Sequence, residues 1–340
     1  SSVFLSHDDN INGQADSNGD QLLFIFNEAI DQSTLNATNV QARLAPSVGT
    51  FSSVGNPLLE WYSDNILLVT LQAGQTNSVG ATITVNAAVK DKNGNAATNP
   101  STLPVVTVPT LIPPSAIMLS DPDITNWGID NNDILVSWAW DGAPSGDHLN
   151  VYILPEDVPL DTSTHNPINS ANIATSAISF SPSNYIGGDS RSDFVTYNPY
   201  FYFNDMTDYR AYVAVCDATE TVCSYPAFSA PFRFSNDNSG GANNWYTDFG
   251  WASTFVENSF PWGYSTIAKN TKIFAMAFSD PMDSTTITTS TMTLKNGATA
   301  INGSVSYDTE TWVAYFTASE ALPQDATLDF ALAGGQDSTG

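Results

Sequence analysis

The chain has 340 residues, of which 42% are hydrophobic and 11% aromatic, enough for two or three domains that each bury a core. Against 9 basic residues stand 35 acidic ones, 28 Asp and 7 Glu, for a net charge of −26. So acidic a balance excludes nucleic acid as a partner, and no apolar run reaches the ~18–20 residues of a membrane span, so this segment inserts into no membrane. Most of the acid is Asp, a turn-former, and it has two readings. It keeps a secreted protein soluble, or it gathers divalent cations.

Near the amino terminus Phe4, Leu5 and Ser6 lead into His7, Asp8 and Asp9, and a second polar group follows at Asp16, Asn18 and Asp20. Leu22, Phe24 and Phe26 then alternate, which places three large side chains on one face of a strand. Asp31, just ahead of Ser33 and Thr34, suits the N-cap of a single helical turn closed by Leu35. Short strands at Ile66 to Leu71 and Ala81 to Val89 are divided by Gly, Asn, Ser and Pro turns. Asp91, Asn93 and Asn95 make another polar turn, and Pro104 to Pro114 carries a last strand into a stiff, extended linker.

The next segment repeats the opening. Met118, Leu119 and Ser120 precede Asp121 and Asp123, and Asp130, Asn132 and Asp133 follow after a short loop. Ile134, Val136, Trp138 and Trp140 then share one strand face, Tyr209, Ala211, Val213 and Val215 share another, and Phe228 to Phe234 forms a closing strand. Between them Leu154 to Tyr200 reads as a long loop without strand rhythm, the kind of segment that often carries function, while Tyr197 to Phe203 reads as a buried strand. Cys216 and Cys223 flank a short polar turn, so they form a structural disulfide in an oxidising setting or remain two free thiols.

Residues 237–252 form a Gly- and Asn-rich linker that turns aromatic. Trp245, Tyr246, Trp251 and Trp262 either pack domains together or offer a platform for a sugar or a protein partner. Beyond them Phe274, Met276 and Phe278 alternate as Leu22, Phe24 and Phe26 do, and Asp283 again precedes a Ser/Thr-rich turn, closed by Ile287. One strand-and-capped-turn unit therefore occurs twice, with other material between the copies.

That unit resembles the bacterial Ig-like domain of S-layer proteins and large surface adhesins. The family pattern N-T-x-I-x-V-x-F-S-x-P-M-D is met almost position by position from Asn270 to Asp283, and its D-x-x-G-N ending by Asp91, Gly94 and Asn95. The resemblance covers residues 1–110 and about 250–340. Residues 111–236 are similar to a fibronectin type III domain, with Trp138 on the second strand, Asp208 to Val213 on the sixth, and the family's tyrosine corner near Tyr209. Together these imply an all-β, elongated chain of three sandwiches: 1–110, 111–236, and 237–340 with the aromatic linker included. Gly340 falls on the glycine of the family's closing pattern, so the last sandwich is expected to be completed by chain that follows or by a neighbour's strand.

The grouped oxygen donors suit Ca²⁺, with Asp8, Asp9, Asp16, Asn18 and Asp20 in one cluster and Asp121, Asp123, Asp130, Asn132 and Asp133 in another. Asp91 and Asn93 are further candidates; equally, these residues simply build turns. No catalytic residue is expected: His7, His148 and His165 are scattered, and no nucleophile-elbow or phosphate-loop context is present. The expectation is an extracellular, cell-surface structural or adhesive protein, a stalk, S-layer or filament component with Ca²⁺-stiffened junctions. Its partners would be other copies of itself, neighbouring surface proteins or glycans. A binding module, or the non-catalytic part of a secreted hydrolase, is the alternative.

Overall fold

The computed structural model describes residues 1–8, 14–15, 18–52, 55–72, 79–99, 101–120, 135–155, 158, 160, 165–169, 172–180, 207–234, 256–261, 267, 271–278, 281–323 and 326–337. It divides into two compact units. The first comprises Ser1–Thr110 with Glu156–Asp161 and Thr266–Lys269; the second comprises Leu111–Pro155, Thr162–Ser265 and Asn270–Gly340.

The first unit is a β-sandwich. Its strands are Ser2–His7 (β1), Gln21–Ile25 (β2), Leu44–Pro46 (β3), Leu58–Ser63 (β4), Ile66–Thr70 (β5), Ile83–Val85 (β6) and Val106–Thr107 (β7). One sheet runs β4-β5-β2-β1-β7, antiparallel except for the β1–β7 pair, and β3 pairs with β6 in the other. Leu22, Phe24 and Phe26 all enter the core between the sheets, as their alternation requires. Phe24 meets Phe51 edge-on at 6.1 Å, and Leu35, Val40 and Leu44 fill the space beneath the capped turn.

The second unit holds two sandwiches. The first is built from Ser115–Ser120 (β8), Leu135–Ala139 (β9), His148–Pro155 (β10), Ile173–Ala174 (β11), Ser179–Phe180 (β12), Thr207–Cys216 (β13), Ala227–Phe228 (β14) and Phe232–Phe234 (β15). A β12-β9-β8 sheet faces a β11-β10-β13-β14 sheet, with β15 also on β13. The smaller sheet thus has three strands and the larger five. Val136 and Trp138 from one sheet meet Leu149, Val151, Ile153, Tyr209, Ala211, Val213 and Val215 from the other. The Trp138 indole N–H donates to the Ala177 carbonyl at 2.9 Å, which meets its polar requirement inside the core.

The other sandwich has strands Val256–Phe260 (β16), Ile273–Phe278 (β17), Met292–Asn296 (β18), Thr299–Ala300 (β19), Gly303–Asp308 (β20), Val313–Ala318 (β21) and Leu328–Leu332 (β22). Its sheets are β16-β17-β21-β20 and β19-β18-β22. The order β1-β2-β5-β4 of the first unit is thus repeated, with β18 and β22 in the places of β3 and β6. The core is aromatic: Phe274 lies 6.4 Å from Phe316 and 5.4 Å from Phe330.

Every residue of β17 is buried, on both faces of the strand. Phe274, Met276 and Phe278 alternate with Ile273, Ala275 and Ala277, and the latter row joins Val313 in a cluster with Ala116 and Met118 of β8. One face of the β16–β20 sheet therefore packs on a face of the fibronectin-like sandwich. Alanine supplies much of this contact, and small side chains let two sheets approach closely. Lys272 Nζ and Asp141 Oδ1 form an ion pair at 3.3 Å between the same two sandwiches.

Candidate functional site

The two capped turns are built alike. Asp31 Oδ1 accepts from the Ser33 amide at 3.0 Å and from the Ser33 hydroxyl at 2.6 Å. Asp283 Oδ1 accepts from the Thr285 amide at 2.9 Å and from its hydroxyl at 2.7 Å. In each case the hydroxyl bond is the foremost reason that the carboxyl is held below the usual carboxylate range. Both turns are tied to a distant loop, since the Asp31 amide donates to the Lys90 carbonyl and the Asp283 amide to the Gln336 carbonyl, each at 2.9 Å. Bridges Ile30–Asp91 and Met282–Asp337 lie beside these bonds, so the closing loops of both copies occupy equivalent places.

Asp91 spends both carboxylate oxygens on its own turn. Oδ1 accepts from the Asn95 amide and Oδ2 from the Asn95 side chain, both at 2.7 Å, and the side-chain bond leads in holding its carboxyl low. Asn93 sits exposed in the same turn. In the first acidic cluster Asp8 and Asn18 are half-buried, whereas Asp20 is fully withdrawn from solvent. The Asp20 carbonyl accepts from the Leu71 amide at 2.8 Å, which anchors the end of this loop to β5. Among the described residues no group of three or more His, Cys, Asp or Glu is placed to hold a metal ion. Asp9, Asp16, Asp121, Asp123, Asp130, Asn132 and Asp133 lie outside the described residues, as do Trp245, Tyr246, Trp251 and Trp262 and the Tyr197–Phe203 run.

Cys216 and Cys223 form a disulfide across the hairpin that joins β13 to β14. Its turn is organised by Asp217. Oδ1 accepts from the Thr221 and Val222 amides at 2.9 and 3.3 Å, and Oδ2 from the Thr219 and Thr221 hydroxyls, both at 3.1 Å. Desolvation works against the Asp217 carboxylate, yet these donors hold its carboxyl below the usual range. Beside the hairpin lies a feature that the sequence does not announce. His148 is buried on β10 with Asp147 Oδ2 at 3.2 Å from Nδ1 and Glu220 Oε1 at 3.3 Å from Nε2. It shares a face with Asn150 and Tyr152, and all three are buried.

No helix among the described residues is long and apolar enough to cross a membrane. Among curated proteins, none matches the sequence. Among solved structures, the two-domain fibronectin type III segment of chicken tenascin aligns over 65% of this chain and 85% of its own, at 11% identity and a TM-score of 0.21. The family model described as a bacterial Ig-like domain matches residues 11–107. That match covers most of the first sandwich, whose paired sheets and capped turn are thus similar to those of a bacterial Ig-like domain.

Proposed function

We propose that this chain is a structural, non-catalytic segment of an extracellular bacterial surface protein, serving as a stalk, S-layer or filament component. Ig-like and fibronectin-like sandwiches are scaffolds by habit, and a bacterial Ig-like domain points to a surface or adhesion module. The observation that carries the reading is the docking of β17 on β8: two successive sandwiches share a buried face, which suits a rod that must not bend freely. The hairpin disulfide fits an oxidising, extracellular location. Partners on this reading are further copies of the chain or adjoining surface proteins.

Ca²⁺ belongs to the same proposal. Asp8, Asp9, Asp16, Asn18 and Asp20 would bind one ion, and Asp121, Asp123, Asp130, Asn132 and Asp133 another, fixing loops that otherwise repel themselves. Asp91 is a weaker ligand candidate, since Asn95 already engages both its oxygens. The test is a thermal melt of the whole chain in EDTA and in CaCl₂, with small-angle scattering on the same samples. A lower melting temperature and a more variable envelope in EDTA are expected. Identical melts and envelopes would reduce these loops to ordinary turns and remove Ca²⁺ from the proposal.

A further inference from the structure

We propose that the Cys216–Cys223 link is a thiol-operated clasp, opened by attack on Cys223 with Cys216 as the buried leaving thiolate. The two cysteines occupy unlike surroundings: Cys223 is exposed at the hairpin end, whereas Cys216 is fully buried on β13. Thiol–disulfide exchange requires access to one sulfur and departure of the other, so exposure selects Cys223 for attack. The departing sulfur has a waiting donor, because Asn150 Nδ2 lies 3.5 Å from Cys216 Sγ. A hydrogen bond to an ionised group is stronger than one to a neutral group, so this contact gains strength as Cys216 takes on charge. His148 is the cross-strand partner of Cys216; the carboxylates of Asp147 and Glu220 meet its ring, and that of Asp217, next to Cys216, is engaged by the hairpin turn.

The chemistry balances with a small thiol as reductant. Its thiolate attacks Cys223 Sγ; the new sulfur–sulfur bond forms as the old one breaks, and the electron pair leaves on Cys216, which is then protonated. A second thiolate attacks the adduct at the small thiol's sulfur and releases that thiol as its disulfide, with Cys223 as thiolate. Two thiols are oxidised by two electrons and the protein gains them.

Opening would free the Asp217–Val222 turn and with it two contacts on neighbouring strands. Glu220, held at a left-handed φ of 54°, would leave the His148 ring, and Ser224 would loosen its hold on the Val215 amide, now 3.1 Å long.

The experiment uses the whole chain, native, in reduced glutathione, with acid quenching, alkylation and peptide mass spectrometry. Glutathione is expected on Cys223 with Cys216 alkylated, together with faster amide exchange at Val215 and Val222. The N150A substitution should slow native-state reduction about tenfold while leaving the rate in denaturant unchanged. Glutathione on Cys216, or reduction only after denaturation, would overturn the clasp; a native rate unaltered or raised by N150A would overturn the role of Asn150.

Discussion

Asp31 and Asp283 show how much local order one carboxylate can impose. Each accepts two short bonds from the residue two places on, and each holds the start of a turn against a distant closing loop. Replacing either with Ala should lower stability, readable as a fall in urea midpoint at unchanged slope. The two substitutions should act almost independently, since they cap different sandwiches. Acid should do to all of these aspartates what mutation does to one. Asp31, Asp91, Asp217 and Asp283 are all held below the ordinary aspartate value of 3.8. A folded-state value below the unfolded one stabilises at higher pH, and that contribution is lost as pH falls through 3.8 and then through the lowered values. Melting temperatures measured from pH 6 down to about pH 2 should therefore fall most steeply below about pH 4, and the D31A D283A double variant should fall less.

At the scale of elements, alternation in the sequence was a sound guide to one face of each strand and a poor guide to the other. Leu22, Phe24 and Phe26, and their counterparts Phe274, Met276 and Phe278, enter the cores that their spacing requires. Tyr209, Ala211, Val213 and Val215 do the same. What alternation cannot disclose is whether the opposite face meets water or another sheet. Ile273, Ala275 and Ala277 form an apolar row, but alanines are common on exposed faces too; only the row's contact with Ala116 and Met118 gives it meaning. His148 was hidden for the same reason, because its burial depends on what crosses the back of β10 rather than on anything local. The Cys216–Cys223 pairing was legible, since two cysteines that close a short hairpin are neighbours in sequence as well as in space. Ala277→Trp tests the docked face directly. It should cost about 1–3 kcal/mol by overpacking, whereas Thr317→Trp, at an exposed position on the adjoining β21, should cost little. Equal losses from the two would mean that the sheets do not press on each other in solution.

For the whole molecule, charge is the dominant long-range term. With a net charge of −26 the folded chain repels itself, and that repulsion weakens as salt shortens the Debye length from about 30 Å at 0.01 M to about 10 Å at 0.1 M. Adding NaCl over that range should raise the melting temperature. CaCl₂ at equal ionic strength should raise it further if the acidic loops bind the ion, and no further if they act only as a diffuse field.

The shared face between β8 and β17 also bears on how such a chain can be rearranged over generations. Domains joined only by linkers can be shuffled, duplicated or lost one at a time. Here a break between the two carboxy-terminal sandwiches would expose Ile273, Ala275, Ala277 and Val313 on one side and Ala116 and Met118 on the other. Either piece alone would present an apolar patch prone to self-association. These two sandwiches are therefore expected to travel as a couple.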